Sequence, residues 1–496
     1  MIVLAGCGGG GGSPGIGAGP GPQPPPPPAG SADPDPNTLG DAFSTYWNLC
    51  AAPRRGFDPD GKPFPDRQGT LMDELRFLRA WSNQYYLWYR EIPNTYRMAD
   101  FNNALDYFEV LKTPALTASG KPKDRYHFTY PTEEWEKMTN AGIEQGYGIT
   151  WSRNSATAPR TWLAAVIEPG SPAAAAGLRR GDMLLEVDGV DFVNGSDPAS
   201  VDKINAGLFP EKPGEVHRLT VQRGGVSIDV TMTATEVHAA PVKNAKVIET
   251  ATGKVGYLTF DDHNAVSEKQ LIDAFTMFRD AGVKDLVLDM RYNGGGLLYI
   301  ASQLAYMVAG PGTIGKVFER PLYNDKIGQQ PAIMFRSTAY GFPSPNPVRP
   351  GTPLPYLGLK RVTVLSTSGT CSASEAVVNG LRGVDVEVNL IGAQTCGKPY
   401  GFTPVPNCGT TYFSIEFQGV NQKGFGDYPD GLAPTCHVAD DLSRAVGDPE
   451  EGLLAAALQF QATNACPAPT SRAFSVPMKL VRPPVKEIGI YPPRQR

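Results

Sequence analysis

Arg361-Val362-Thr363-Val364-Leu365-Ser366-Thr367-Ser368-Gly369-Thr370-Cys371-Ser372-Ala373-Ser374-Glu375-Ala376-Val377-Val378 decides how the rest of this chain is read. It opens with an apolar, β-branched run, the pattern of a short buried strand. Turn formers from Ser366 to Cys371 break that run, and Ser372 to Glu375 leads into Ala376, Val377, Val378 and Leu381. The order is strand, turn, helix. A serine at such a junction sits near the positive end of a helix dipole among free backbone N–H groups, which suits a nucleophile attacking a carbonyl. It equally suits an ordinary helix N-cap, so this stretch alone leaves both roles open.

A second apolar run, Val386, Val388, Leu390 and Ile391, ends in Gly392-Ala393-Gln394-Thr395-Cys396-Gly397 and then Lys398. Two such units side by side in a parallel sheet bring both turns to one edge, where Ser372 and Lys398 meet. A lysine serves as general base only when desolvation lowers its pKa, and Val377, Leu381, Cys396 and Phe402 are candidates for that apolar cover. A lone lysine is otherwise a surface residue. Gly392 to Lys398 also fits the phosphate-loop pattern G-x-x-x-x-G-K, but Pro399 stands where Ser or Thr would hold magnesium.

Upstream, Val255-Gly256-Tyr257-Leu258-Thr259-Phe260 reads as a strand. Ser267-x-x-Gln270 reads as a capping box for a helix with Leu271, Phe275 and Phe278 inward and Gly282 at its end. Leu286 to Met290 is the next strand and runs into Arg291-Tyr292-Asn293-Gly294-Gly295-Gly296-Leu297. Glycines there let backbone N–H groups approach a ligand, as an oxyanion hole requires, although three glycines also suit a plain turn. Downstream, Tyr412 to Phe417 alternates as a strand, and Leu453 to Phe460 reads as a short apolar helix. The last ~25 residues, rich in Pro and Arg, read as a tail with few internal partners.

From about 41 to 141 the pattern is helical, with Leu71, Leu75, Leu78, Tyr85 and Trp88 on one stripe and Phe101, Leu105 and Phe108 on another. These are expected core residues of a small helical domain, and nothing in them suggests chemistry. Between Gly146 and about Val237 short strands take over. Gly146-Tyr147-Gly148-Ile149, the Ala-rich Pro172 to Leu178 and Arg180-Gly181-Asp182-Met183-Leu184-Leu185-Glu186-Val187-Asp188-Gly189 together resemble a PDZ domain. The resemblance implies that N–H groups of Tyr147, Gly148 and Ile149 take a peptide's terminal carboxylate while the peptide adds as a β-strand.

Leu4-Ala5-Gly6-Cys7 has the form of a lipobox, with Cys7 as the acylated residue, and a Gly/Pro tether follows to about Pro36. Only Met1-Ile2-Val3 precede the box, so either the true start lies upstream or the match is accidental, and the combination of box and tether favours the first. Six cysteines then remain, an even number that suits disulfides in an exported protein, although six allow 15 connectivities. A Cys371–Cys396 bridge would pin the two turns together, and Cys408 with Cys436 is a second expected pair.

The chain has 496 residues and a net charge of −5, with no basic block, which argues for several domains and against nucleic acid. No apolar run approaches the ~20 residues that span a bilayer. The five histidines (His127, His217, His238, His263, His437) are scattered, no G-x-S-x-G elbow occurs outside the Gly/Pro tether, and each histidine is read as structural.

A PDZ domain, D-Φ-R-x-N-x-G-G, S-A-S-E after a strand, and G-K about 25 residues later resemble, in that order, the C-terminal processing (tail-specific) peptidases over about residues 120 to 440. The resemblance implies a multidomain α/β protein: tether 1–37, helical domain 38–140, PDZ domain 141–238, crotonase-like peptidase core 239–470 and tail 471–496. It implies Ser372 as nucleophile, Lys398 as general base and oxyanion donors from Gly295, Gly296 and Ala373. It needs no cofactor or metal, and its substrates are protein or peptide C-termini. An exported, periplasmic location with a lipid anchor at Cys7 completes the expectation. This chain departs from the family at Cys371, where a small Ala is usual, at Pro399, and at Phe402, where a lysine-orienting Gln is common; Gln394 is the candidate replacement. A non-catalytic peptide-binding scaffold and a crotonase-like enzyme acting on a thioester are the alternative readings.

Overall fold

The computed structural model describes residues 43–58, 61–468, 479–481 and 489–490. Cys7 and the tether lie outside them.

A six-stranded sheet organises the α/β half, in the order Val242–Thr250, Gly253–Phe260, Asp285–Asp289, Arg361–Ser366, Glu387–Gly392, Cys436–His437. The first pair is antiparallel and the rest are parallel. Alternation along Arg361–Ser366 sends Val362 and Val364 to one face and Leu365 to the other. The first face is covered by helices Ser267–Asp280, Leu298–Ala309 and Ala373–Gly383, the second by Gly452–Thr463, whose Leu453, Leu454 and Phe460 pack on Tyr257, Val287 and Ile391. Burial on both faces explains why these strands read as continuous apolar runs.

Helix Ser267–Asp280 buries Leu271, Phe275 and Phe278, but the expected capping box is absent. Gln270 accepts instead from the Val242 N–H at 2.9 Å, tying the helix to the neighbouring strand. Tyr412 to Phe417 is not one strand: Thr410–Phe413 and Phe417–Val420 belong to separate sheets, because the first pairs with Phe128–Pro131 and the second with Val317–Tyr323.

The N-terminal region forms no core of its own. Its helices are Leu71–Tyr85, Ala104–Val110 and Thr132–Ala141. Leu75, Phe77, Leu78, Trp81, Tyr107 and Phe108 join the same apolar cluster as Val364 and Val377 of the α/β half. Leu105, expected inside, is exposed, and Tyr107 takes its place. The pairing of Phe128–Pro131 with Thr410–Phe413 and a Cys50–Cys408 disulfide fasten the region down. That disulfide corrects the expected Cys408–Cys436 pair. Cys408 lies on the hairpin that the N-terminal segment covers, where Asn407 Oδ1 accepts from the Asn48 N–H at 2.8 Å. Cys436, on the edge strand of the central sheet, pairs with Cys466 just beyond the last helix.

The PDZ sheet runs Val226–Thr233, Val216–Arg223, Met183–Val187, Trp162–Ile167, Ile149–Arg153, and its outer strand is Lys479–Val481 from the C-terminal tail. A second tail strand, Gly489–Ile490, pairs with Gly296–Leu297. The tail therefore has internal partners that its Pro/Arg composition did not suggest. No helix among the described residues is long and apolar enough to cross a membrane.

Candidate active site

The turn after Arg361–Ser366 delivers Ser372, which holds φ 54° and ψ −115° immediately before helix Ala373–Gly383. A positive φ is strained for a side chain with a Cβ, and such residues concentrate at functional sites. Ser372 is 3% exposed and its Oγ has no hydrogen-bond partner. Loss of a hydrogen bond at a buried hydroxyl is unfavourable unless a reacting group uses it.

The adjacent strand Glu387–Gly392 delivers Lys398 to the same edge. The link between the turns is the buried carboxylate of Glu375, at the third position of the helix. It accepts N–H bonds from Ser372 at 3.0 Å, Gly397 at 2.9 Å and Lys398 at 2.8 Å, and a hydroxyl bond from Thr395. One of its oxygens, Oε2, takes both the Ser372 and Lys398 N–H groups, which places those nitrogens within about 6 Å of each other. Burial pushes the Glu375 carboxyl above its ordinary range, opposed by the Thr395, Lys398, Gly397 and Ser372 donors. The Cys396 N–H donates to the Thr370 carbonyl at 3.0 Å, and a Cys371–Cys396 disulfide closes the same gap. Cys371, Glu375 and Cys396 sit close enough together to suggest a metal site, but the two sulfurs are bonded to each other and offer no thiolate.

Lys398 is 1% exposed, and its Nζ lies 4.3 Å from the Phe402 ring centroid and 5.0 Å from that of Tyr126. Desolvation favours the neutral amine a base needs, while ring faces attract the cation. Phe402 thus supplies the expected apolar cover. Gln394 does not take the orienting role: it is exposed, and its amide donates to the Asp430 carbonyl at 2.9 Å.

The glycine loop passes directly beneath the serine. Gly295 has φ 107°, and a Cβ there would lie 2.7 Å from Ser372 Cβ and 3.0 Å from the Ala373 nitrogen. Only glycine allows that approach. Its own N–H is engaged, donating to Asn293 Oδ1 at 2.9 Å, so this expected oxyanion donor is occupied. Gly296 has φ 137°, and a Cβ there would meet the His263 carbonyl oxygen at 2.6 Å. Ala373 heads the helix, where the first N–H groups have no intrahelical acceptor.

Asn293 is the hub of this loop. Its Nδ2 donates to the Phe260 carbonyl at 2.9 Å, which leaves Oδ1 to accept from Gly295 and from His263 Nδ1 at 3.0 Å. The His263 proton therefore sits on Nδ1. Burial holds this ring neutral, with its pKa lowered to about 3, and its Nε2 has no partner. The Asn293 carbonyl accepts from the Cys371 N–H at 3.0 Å and the Ser374 hydroxyl at 3.1 Å, fixing loop to turn.

Two further supports come from distant elements. Arg291, fully buried, is paired with Asp289, Glu451 and Asp440, and Asp440 also binds Arg180 of the PDZ domain at 2.8 Å. Arg180 donates to the Tyr292 hydroxyl at 2.7 Å, so the PDZ domain is fastened to the base of the glycine loop. On the lysine side, the N-terminal region supplies Arg125, which donates to the Cys396 and Pro429 carbonyls at 2.9 Å each. Tyr126 donates its hydroxyl to the Gly397 carbonyl at 2.9 Å. Sequence reasoning missed Arg125 and Tyr126, because neither belongs to a motif. Glu375 and Asn293 lay inside quoted motifs without a role, and the position of Glu375 three residues after a helix-opening serine was the available signal.

In the PDZ domain, Gly148 has φ 75° and packs against Ser171, with a Cβ there falling 2.5 Å from Ser171 Cβ. Tyr147 is buried and donates its hydroxyl to the Gly207 carbonyl at 3.1 Å, tying the loop to helix Pro198–Leu208. Ile149 opens the strand whose outer edge a peptide would extend.

Residues 254–421 match the model of peptidase family S41, and residues 164–223 match a PDZ domain. The chain is 30% identical over 366 residues to the chloroplastic C-terminal processing peptidase of Tetradesmus obliquus, covering 67% of this chain and 69% of that protein. It is 26% identical over 311 residues to a CtpA-like serine protease of Staphylococcus aureus, covering 62% of this chain and 56% of that one, so it spans little more than half of that relative. A crystal structure of an S41 protease from Bacteroides fragilis superposes with a TM-score of 0.60 at 25% identity, covering 78% of this chain and 97% of that one. Matching family model, the extent of identity to a C-terminal processing peptidase and shared fold lead to one assignment: the chain belongs to peptidase family S41, among the C-terminal processing peptidases.

Proposed function

We propose that this chain is a serine endopeptidase that cleaves proteins or peptides near their C-termini with a Ser372–Lys398 dyad. One observation carries the reading: a strained, buried serine with an unpartnered hydroxyl stands on a turn that Glu375 and a disulfide clamp to the turn of a buried lysine.

Ser372 Oγ attacks the scissile carbonyl as neutral Lys398 takes its proton. The tetrahedral oxyanion forms against the backbone N–H groups of Gly296 and Ala373, at the head of a helix whose dipole favours negative charge. Lys398 returns the proton to the departing amine, leaving an ester on Ser372, and then deprotonates the water that hydrolyses it. Glu375 orients both turns without entering the reaction. The PDZ domain holds the substrate tail, its terminal carboxylate on the N–H groups of Tyr147, Gly148 and Ile149.

The protein is proposed to act outside the cytoplasm, anchored through lipid on Cys7. Three disulfides suit an oxidising compartment. Acid-quenched mixtures with an excess of tail peptide test the chemistry by mass spectrometry. An acyl adduct on Ser372 that is absent from Lys398→Ala is the expected result. Cleavage with no adduct, or an adduct on another residue, contradicts the dyad. Tail peptides that bind without any cleavage would make the chain a scaffold.

A further inference from the structure

Strand Lys479–Val481 lies on the free edge of Ile149–Arg153, antiparallel, with Lys479 opposite Arg153, Leu480 opposite Ser152 and Val481 opposite Trp151. The tail thus advances along the strand toward Ile149 and Gly148, the end where a peptide's terminus would be held. This is the edge, and the polarity, that strand addition offers an incoming tail.

Side chains alternate across the added strand. Val481 is 8% exposed and joins the PDZ cluster that contains Trp151, Ile204 and Leu208, two of them from helix Pro198–Leu208. Leu480 points the other way, to the catalytic half: a Cβ on Gly369 would lie 2.6 Å from Leu480 Cδ1. Gly369 belongs to the turn that ends in Ser372. Farther along the tail, Gly489–Ile490 pairs in parallel with Gly296–Leu297 of the glycine loop. One segment of this chain therefore touches the peptide edge of the PDZ domain, the serine turn and the glycine loop.

We propose that the C-terminal tail is an intramolecular occupant of the peptide groove, held through Leu480 and Val481, and that a substrate tail binds only by displacing it. The inference rests on the reading of the PDZ domain as the substrate-capturing module. A tethered segment acts at an effective concentration of the order of millimolar, so even a weak three-residue strand competes with free peptide. A substrate on an unfolded protein must outcompete it, which would confine turnover to tails that bind well or are abundant.

The test measures peptide binding rather than turnover, in chains carrying Ser372→Ala. A fluorescein-labelled decapeptide with an apolar C-terminus is titrated against the full chain, the full chain with Val481→Asp, and a chain ending at Ala468. Val481→Asp places a charge in the apolar groove and should release the tail. Both altered chains are expected to bind the probe at least tenfold more tightly than the parent, and a synthetic peptide of residues 475–485 should compete with the probe at about tenfold lower concentration in them than in the parent. Equal affinity in all three chains, or no binding by any, overturns the proposal. Should the shortened chain fail to fold by circular dichroism, Val481→Asp in the intact chain decides. Cleavage assayed separately with Ser372 restored keeps the two readings apart: tighter binding without cleavage retains the occupant and removes the peptidase, and cleavage with unchanged affinity does the reverse.

Discussion

The Glu375 carboxylate receives the Lys398 backbone N–H at 2.8 Å, and the same oxygen receives that of Ser372. Two residues 26 positions apart are thus set by one buried carboxylate that binds their backbone N–H groups. Charge-assisted bonds of this kind are worth roughly 1.5–3 kcal/mol each. Glu375→Gln keeps the shape, replaces the anion by a neutral amide and turns one acceptor oxygen into a donor facing other donors. It is expected to lower kcat by about tenfold or more with a smaller change in KM. Steady-state kinetics on an unfolded substrate check this; unchanged kcat would show that the clamp is unnecessary.

The Cys371–Cys396 disulfide spans 25 residues of sequence across the same gap. A loop of that length gives about 3.5 kcal/mol in the chain-entropy description. The double replacement Cys371→Ala, Cys396→Ala should lower stability to denaturant by that order and reduce cleavage, since the Glu375 carboxylate and the Cys396 N–H bond to the Thr370 carbonyl then hold the turns without a covalent link. Equilibrium unfolding and turnover on one preparation measure both.

Phe402 stands at the position where the family resemblance implies a lysine-orienting glutamine. Here its ring is fully buried, 5.8 Å from Phe128 and 5.4 Å from Phe413 by centroid, with Lys398 Nζ at 4.3 Å. The position is part of the core. Phe402→Gln loses ring packing and buries an amide, so it is expected to cost about 2–4 kcal/mol and to give no gain in activity. A rise in kcat at unchanged stability would mean that the family's glutamine role is vacant and can be refilled.

Glu319 gives a pH prediction. Strand Val317–Tyr323 buries its carboxyl against Gly419, and desolvation raises its pKa from 4.5 to about 8. Between those values the folded chain keeps a proton that the unfolded chain releases. Its contribution to stability is therefore full below about pH 4.5 and is lost as pH rises toward 8, by roughly 5 kcal/mol at most. Glu319→Gln should flatten the dependence of Tm on pH over that window and raise Tm at pH 8. A parallel shift of the whole curve would assign the effect to packing alone.

What the sequence revealed followed from local chemistry. The strand-turn-helix around Ser372 and the second strand-turn before Lys398 are continuous motifs, and parallel neighbours place their ends together, so the serine, the lysine and the Cys371–Cys396 bridge were legible. Contacts between distant segments were not. Arg125 and Tyr126 reach the lysine turn from a region that reads as plain helix, and Cys50 finds Cys408 across 358 residues. Gln394 resembled an orienting group by proximity in sequence, but the turn exposes it. The tail misled for another reason: proline and arginine suggest solvent, while the two residues that matter, Leu480 and Val481, are a short apolar interruption that strand pairing can use.

The most direct measurement is turnover of an unfolded protein with an apolar C-terminal tail by the parent chain, Ser372→Ala and Lys398→Ala. Cleavage by the parent and a loss of at least a thousandfold in each variant, all three folded by circular dichroism, are the expected results. Cleavage that persists in either variant, or a parent that binds the tail but never cuts it, would contradict the dyad.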